Sequence, residues 1–112
     1  MRSWSVAALL CLLASCDRTV AGGSTDGVTV YAAACASCHG ATGRPPPQMV
    51  DQLGVRDLTG AEFRARRTKD LVQGQIRRGS ANGRMPAFTG AITDAQIEAV
   101  VDHVMAMRAP AL

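Results

Sequence analysis

Two cysteines and a histidine stand within five residues, at Cys35, Cys38 and His39. On a helix the two thiols fall at i and i+3, nearly one above the other on one face. The imidazole follows one residue later, turned towards the region between them. Such a cluster weighs heavily in a chain of this make-up. Aromatic residues make up only 4% of the 112 residues, and the single tryptophan, Trp4, stands at the N-terminus. The length allows one domain. A domain so poor in large apolar side chains leans on a disulfide, a metal or a cofactor for its core.

Three segments carry helical period. In the first, Val28, Tyr31, Ala32 and Cys35 fall at i, i+3, i+4 and i+7, with Thr25 or Asp26 to cap the start. In the second, Thr68 is placed to cap, Leu71, Val72 and Ile76 form a stripe, and Gly79 stands where a helix would stop. A shorter turn before it opens at Thr59 with Glu62 three residues on, the pattern of a capping box. The last helix has a second capping box, Thr93 with Gln96, followed by Ile97, Val100, Val101, Val104 and Met105 at helical spacing. Pro110 lies beyond its end. Residues 40–49 and 79–88 are rich in Gly and Pro and read as loops. No stretch has strand period and none repeats. The expectation is an all-α chain of three to five short helices joined by long loops. Loops of that length in so small a domain need something to wrap around.

Stacked thiols at Cys35 and Cys38 can add to the two vinyl groups of one haem, and the His39 imidazole can then bind the iron. Other chemistries fit less well. A thioredoxin-like redox pair wants a βαβ context, which is missing here. A zinc site wants a fourth ligand, and only His103 remains to supply one. A disulfide across two residues is a poor staple for a domain. With His39 on one side of an iron, the other axial position decides the chemistry. Met85 stands in a Gly/Pro-rich stretch 46 residues after His39, far enough along the chain to fold over the opposite face. A thioether trans to imidazole favours ferrous iron, raises the potential and closes the position that oxygen chemistry needs. Met105, Met107 and Met49 read as core filler.

The residues Gly27 to Gly40, the run Met85-Pro86-Ala87-Phe88 and the segment Ile92 to Met107 resemble the class I cytochromes c, over roughly Gly27 to Met107. The resemblance implies a small cytochrome c fold wrapped around one covalently bound haem c. It implies that the first and last helices cross, with Gly27 allowing close approach near Val100. The position three after Val100 is commonly aromatic in that family, and here it is His103. A proline carbonyl is expected to accept a bond from the other nitrogen of His39 and so orient the ring. Pro45, Pro46 and Pro47 are the candidates, and Pro46 is the choice. Arg56, Arg66 or Arg67 could pair with a haem propionate, or belong to a solvated charge run.

The N-terminus reads as an address. Arg2 is followed by an apolar run of nine residues from Val6 to Ala14, about half of what a membrane span needs and typical of an export signal. Its ending, Leu13-Ala14-Ser15-Cys16, resembles a bacterial lipobox, in which Cys16 becomes a lipidated N-terminus anchored in the membrane. The competing reading is ordinary cleavage after Thr19-Val20-Ala21, which would discard Cys11 and Cys16 together. The expected organisation is a signal peptide over 1–15, a flexible Gly/Ser-rich tether over 16–26 and the cytochrome domain over 27–109.

Net charge is +3, too small to imply nucleic acid. From Arg44 to Arg84, however, nine basic residues face four acidic ones, which makes a docking face for an acidic partner or simply a solvated surface. The residues include no acid–base pair that would make the chain an enzyme in its own right. They point instead to a periplasmic carrier of single electrons between respiratory-chain partners, anchored through Cys16. Alternatives are a cytochrome subunit of a larger oxidoreductase and a haem-based ligand sensor.

Overall fold

The computed structural model describes residues 19–108. Cys16, the apolar run before it and Pro110 lie outside these. The described chain is all-α, with six helices: α1 Gly27–Ala34, α2 Ala36–His39, α3 Pro47–Leu53, α4 Ala61–Arg66, α5 Lys69–Arg78 and α6 Asp94–Ala106. None is long and apolar enough to cross a membrane.

Local chemistry sets most of the boundaries. Asp26 caps α1, its carboxylate accepting from the Thr29 amide at 3.2 Å and the Thr29 hydroxyl at 2.8 Å. The helix breaks at Cys35, where φ is −124°, and restarts as the single turn α2. Thr68 caps α5 through the Leu71 amide. At α6 both halves of the capping box form, with Thr93 and Gln96 each accepting from the other's backbone N–H.

Two expectations about helix starts need correcting. The proline-rich stretch is not loop throughout: α3 begins at Pro47, the first helical position, where a proline's missing N–H and fixed φ cost nothing. The Thr59–Glu62 capping box does not form. The Thr59 amide and hydroxyl both donate to the Asp57 carboxylate, at 2.8 and 2.6 Å, and the N-cap of α4 is Gly60, one residue later, with no side-chain cap.

Helices α1 and α6 make the main packing contact, and α5 lies against α6. Val30, Tyr31, Ile97, Val100 and Val101 are almost fully buried between them. Each such aliphatic side chain contributes roughly 1.5–3 kcal/mol over its exposed state. The buried stripe of α1 is therefore Val30 and Tyr31; Val28 is 58% exposed and Ala32 also faces solvent. Gly27 is the close-approach point near Val100, against the carbonyl of the Ala99–Val100 peptide and the Cβ of His103. A Cβ there would lie 2.4 Å from the Ala99 carbonyl oxygen and 3.0 Å from the His103 Cβ. His103 does take the aromatic place, meeting Tyr31 edge-on at a centroid distance of 5.2 Å.

The second half of the supposed tether is not free. The Val20 amide donates to the Ala91 carbonyl, Ala21 is buried in the core, and the Gln96 side-chain amide donates to the carbonyls of Gly22 at 2.7 Å and Ser24 at 2.8 Å. A strap from Val20 to Ser24 is thus laid against the start of α6. At the other end of that helix, Arg64 of α4 donates to the Val104 carbonyl at 3.0 Å and to that of Met105.

Candidate functional site

A cavity of about 450 Å³ lies where α2, α4, α5 and the loop after α5 meet. Cys35, Cys38, His39 and Met85 all line it. Its apolar wall includes Leu58, Phe63, Val72, Ile76 and Val104, which are also members of the hydrophobic core. Leu71 lines it too and is 49% exposed, so the α5 stripe points partly into this space and not wholly into packed protein. Such a volume and apolar character suit a small-molecule or cofactor site.

The break at Cys35 lets the chain turn so that both thiols and the imidazole reach one cavity. Burial, with the neighbouring Cys38 adding to it, pushes the Cys35 thiol up to about 11. A thiol held protonated at neutral pH is the opposite of the low-pKa thiolate that disulfide exchange requires. No group of three or more His, Cys, Asp and Glu side chains among the described residues is arranged to hold a metal ion, which leaves the zinc alternative without a ligand set.

His39 Nδ1 lies 3.2 Å from the Arg56 carbonyl oxygen. A carbonyl only accepts, so Nδ1 carries the proton and Nε2 keeps its lone pair for a metal. Burial lowers the pKa of the imidazole, against the opposing effect of the Arg56 bond, and so favours the neutral ligand form. The expected role of Pro46 is overturned here. Its carbonyl is engaged by the Met49 and Val50 amides at the start of α3, and the orienting acceptor is Arg56, ten residues further on.

Met85 is held by its backbone. The Ser80 amide donates to the Met85 carbonyl at 3.0 Å, and the Met85 amide donates to the Ser80 hydroxyl at 2.9 Å. Asn82 closes the turn between them by accepting from Ser80 Oγ and the Arg84 amide. Gly79 must be glycine: its φ is +73°, and a Cβ would lie 2.6 Å from the Met85 carbonyl oxygen. Gln75 Nε2 stands 4.0 Å from Met85 Sδ. Met49, Met105 and Met107 do not line the cavity; Met107 is buried beneath Gly43 instead. His103 is likewise absent from the lining.

Among the described residues three arginines, Arg56, Arg67 and Arg84, line the cavity and no carboxylate does. Of the arginines expected here, Arg66 is elsewhere, exposed and 3.7 Å from Glu62 on its own helix. Arg84 escaped sequence reasoning, although its position beside Met85 was the available signal.

Residues 23–104 match the model of the family described as cytochrome c oxidase, cbb3-type, subunit III. The chain belongs to this family. Among solved structures it is similar to the KustC0563 c-type cytochrome, with 28% identity and a TM-score of 0.67, covering 75% of this chain and 99% of that one. A tyrosine-to-phenylalanine mutant of the same cytochrome gives 28% identity, a TM-score of 0.64, and coverage of 72% and 96%. No curated protein matches the chain. The protein is therefore a c-type cytochrome, an electron carrier and not an enzyme, with covalently bound haem c. The residues present fit that group: a Cys-x-x-Cys pair, an imidazole with Nε2 available and a thioether share one largely apolar cavity.

Proposed function

We propose that this cytochrome is an exported, membrane-tethered carrier of single electrons, with haem joined to Cys35 and Cys38 and bound axially by His39 and Met85. The observation that supports it best is the sharing of one cavity by these four side chains, drawn from segments 46 residues apart. When bound, the haem supplies a one-electron Fe(III)/Fe(II) couple. The chain supplies the rest. The Arg56 carbonyl holds the imidazole in one tautomer and orientation, and Ser80 holds the Met85 backbone at both its N–H and its C=O. A ligand cage that keeps its shape in both oxidation states needs little reorganisation during transfer. The apolar wall excludes water and favours the less charged, reduced state. Arg56, Arg67 and Arg84 make the site electropositive, which suits haem propionates and an acidic partner surface.

Anchoring rests on the sequence Leu13-Ala14-Ser15-Cys16. With the strap docked from Val20 onward, only a few residues separate Cys16 from the folded domain, a far shorter reach than a tether over 16–26 would give. The match to a cbb3-type oxidase subunit family favours a second form of the same function, in which the cytochrome works as a subunit beside a respiratory partner. Co-purification from the native membrane separates the two.

Optical spectra of the full chain, matured with haem, test the ligation. The expected result is haem that survives acid–acetone extraction and a near-infrared sulfur–iron band in the oxidised protein. Met85→Ala should lose that band and fall in potential. Carbon monoxide binding by the reduced parent without denaturant would overturn Met85 ligation and make the protein a ligand sensor.

A further inference from the structure

The chain enters the folded domain through a closed turn. The Gly22 amide donates to the Thr19 carbonyl at 3.1 Å, and the Thr19 hydroxyl donates to the Gly22 carbonyl. The Val20 amide donates to the Ala91 carbonyl at 3.1 Å, Ala21 is buried, and Gln96 ties the Gly22 and Ser24 carbonyls to the start of α6. Cleavage after Ala21 would remove the Val20 bond and a core side chain, which favours Cys16 as the processing point. Only Asp17 and Arg18 then stand between Cys16 and the turn. We infer that the end of the domain formed by Val20, the Thr89–Ala91 loop and the start of α6 rests on the bilayer surface. The lipid anchor would thus fix which way the cytochrome faces as well as where it is held. This rests on the lipidation of Cys16 proposed above.

Reach decides the orientation. Three fully extended residues, from Cys16 to Thr19, span at most about 11 Å at roughly 3.6 Å each. Helix α6 has 13 residues and so a length of about 20 Å at roughly 1.5 Å per residue. The strap is docked at its N-terminal end, so bringing the Met107 end to the membrane needs nearly twice the reach available. The domain cannot turn over. The surface itself suits the contact. Val20 is 60% exposed, an apolar side chain with no place in the core. Thr89 and Gly90 are exposed, and the space around Gly90 is open. The Thr89 hydroxyl donates to the Arg77 carbonyl at 3.0 Å and so holds this loop to the end of α5. The Asp94 carboxylate at the same end is paired with Arg77 at 2.7 Å, which offsets its repulsion of lipid phosphates. One exposed valine is too little to bind a membrane alone; the acyl chains attach the protein and this surface orients it.

The test uses the full chain, matured with haem, acylated and reconstituted into oriented phosphatidylcholine bilayers. Linear dichroism of the haem bands reads orientation directly. The parent should be dichroic. Inserting about twelve Gly and Ser residues between Arg18 and Thr19 adds an r.m.s. reach of about 19 Å, at roughly 5–6 Å times the square root of length. That variant should stay membrane-bound with an unchanged haem spectrum and lose the dichroism. Nitroxide labels at Val20→Cys and, on exposed α3, at Asp51→Cys identify the face, read by collision with oxygen and with a water-soluble nickel chelate in the reduced protein. The label at 20 should report the lipid interface and the label at 51 bulk water. A bound parent without dichroism, an insertion variant that keeps it, or a label at 20 as wet as that at 51 overturns the membrane-facing surface alone. A protein that lacks the acyl mass and washes off the bilayer overturns the lipid anchor and this inference with it.

Discussion

Gln96 is 1% exposed, and its amide is used at both ends. Oε1 accepts from the Thr93 N–H at 2.9 Å, and Nε2 donates to two strap carbonyls. One side chain thus starts α6 and holds the segment leading in from the N-terminus. Gln96→Leu keeps the volume but leaves the Thr93 N–H and the Gly22 and Ser24 carbonyls without this partner. Buried polar groups left unpaired cost about 1–3 kcal/mol each, less where water can reach them. A loss of roughly 2–3 kcal/mol is expected in denaturant titration of the haem-loaded protein, with faster amide exchange at Val20. Unchanged stability would mean that the strap contributes nothing. The capping half of this role was legible in the spacing of Thr93 and Gln96. The strap half was not, because it joins residues more than seventy apart. The acceptor for His39 was hidden for a related reason. Any backbone carbonyl can accept, so side-chain identity could not separate Arg56 from Pro46. The decision fell to α3, which claims the Pro46 carbonyl for its first turn.

At the level of elements, the crossing of α1 and α6 depends on one missing side chain. A Cβ on Gly27 would lie 2.4 Å from the Ala99 carbonyl oxygen, a backbone atom that cannot swing aside. Gly27→Ala gains helix propensity, about 1 kcal/mol at most, but must push the helices apart where Val30, Tyr31 and Val100 are fully packed. Overpacking costs of about 1–3 kcal/mol or more outweigh that gain. A net fall in thermal stability is expected, with the haem spectrum retained because Gly27 itself does not line the cavity. A Tm at or above that of the parent would show that the crossing has slack. The strongly periodic elements were readable: α5 and α6 follow their stripes and caps closely. Short elements were not. Helix α3 has only seven residues and no buried side chain, so Met49, Val50 and Leu53 are too short an apolar pattern to mark it as a helix. Helix α4 was mis-started because Thr59 had a nearer partner in Asp57 than the helix it was expected to cap. Nor could period alone separate the α5 face packed on protein from the part of it that borders the cavity, which is why Leu71 read as ordinary core.

For the whole molecule, the cavity decides how stability and function are joined. The apolar residues that line it, among them Leu58, Phe63, Val72, Ile76 and Val104, are also a large part of the core. Among the described residues the rest of the core, including Val30, Ile97, Val100 and Val101 between α1 and α6, belongs to the same cluster and is continuous with them. Cavity penalties of about 24 cal/mol per Å³, applied to a space of about 450 Å³, give an upper bound near 11 kcal/mol. Partial access to solvent and collapse of the walls both reduce this figure. Even a fraction of it is sizeable beside the total stability of an ordinary domain, about 5–15 kcal/mol. The cofactor is therefore as much a part of the core as any helix, which accounts for a chain with 4% aromatic residues folding at all. Replacing both cysteines, Cys35→Ala with Cys38→Ala, and expressing the chain without haem should give a protein with little cooperative thermal transition and much reduced helical circular dichroism. Adding haem to that variant should restore part of the helicity through axial binding alone, since His39 and Met85 remain. If the haem-free chain instead melts sharply with full helicity, the polypeptide supplies its own core and the cavity is preformed. In that case the haem would be a passenger of the fold, and substitutions in the cavity wall would change the potential without changing stability.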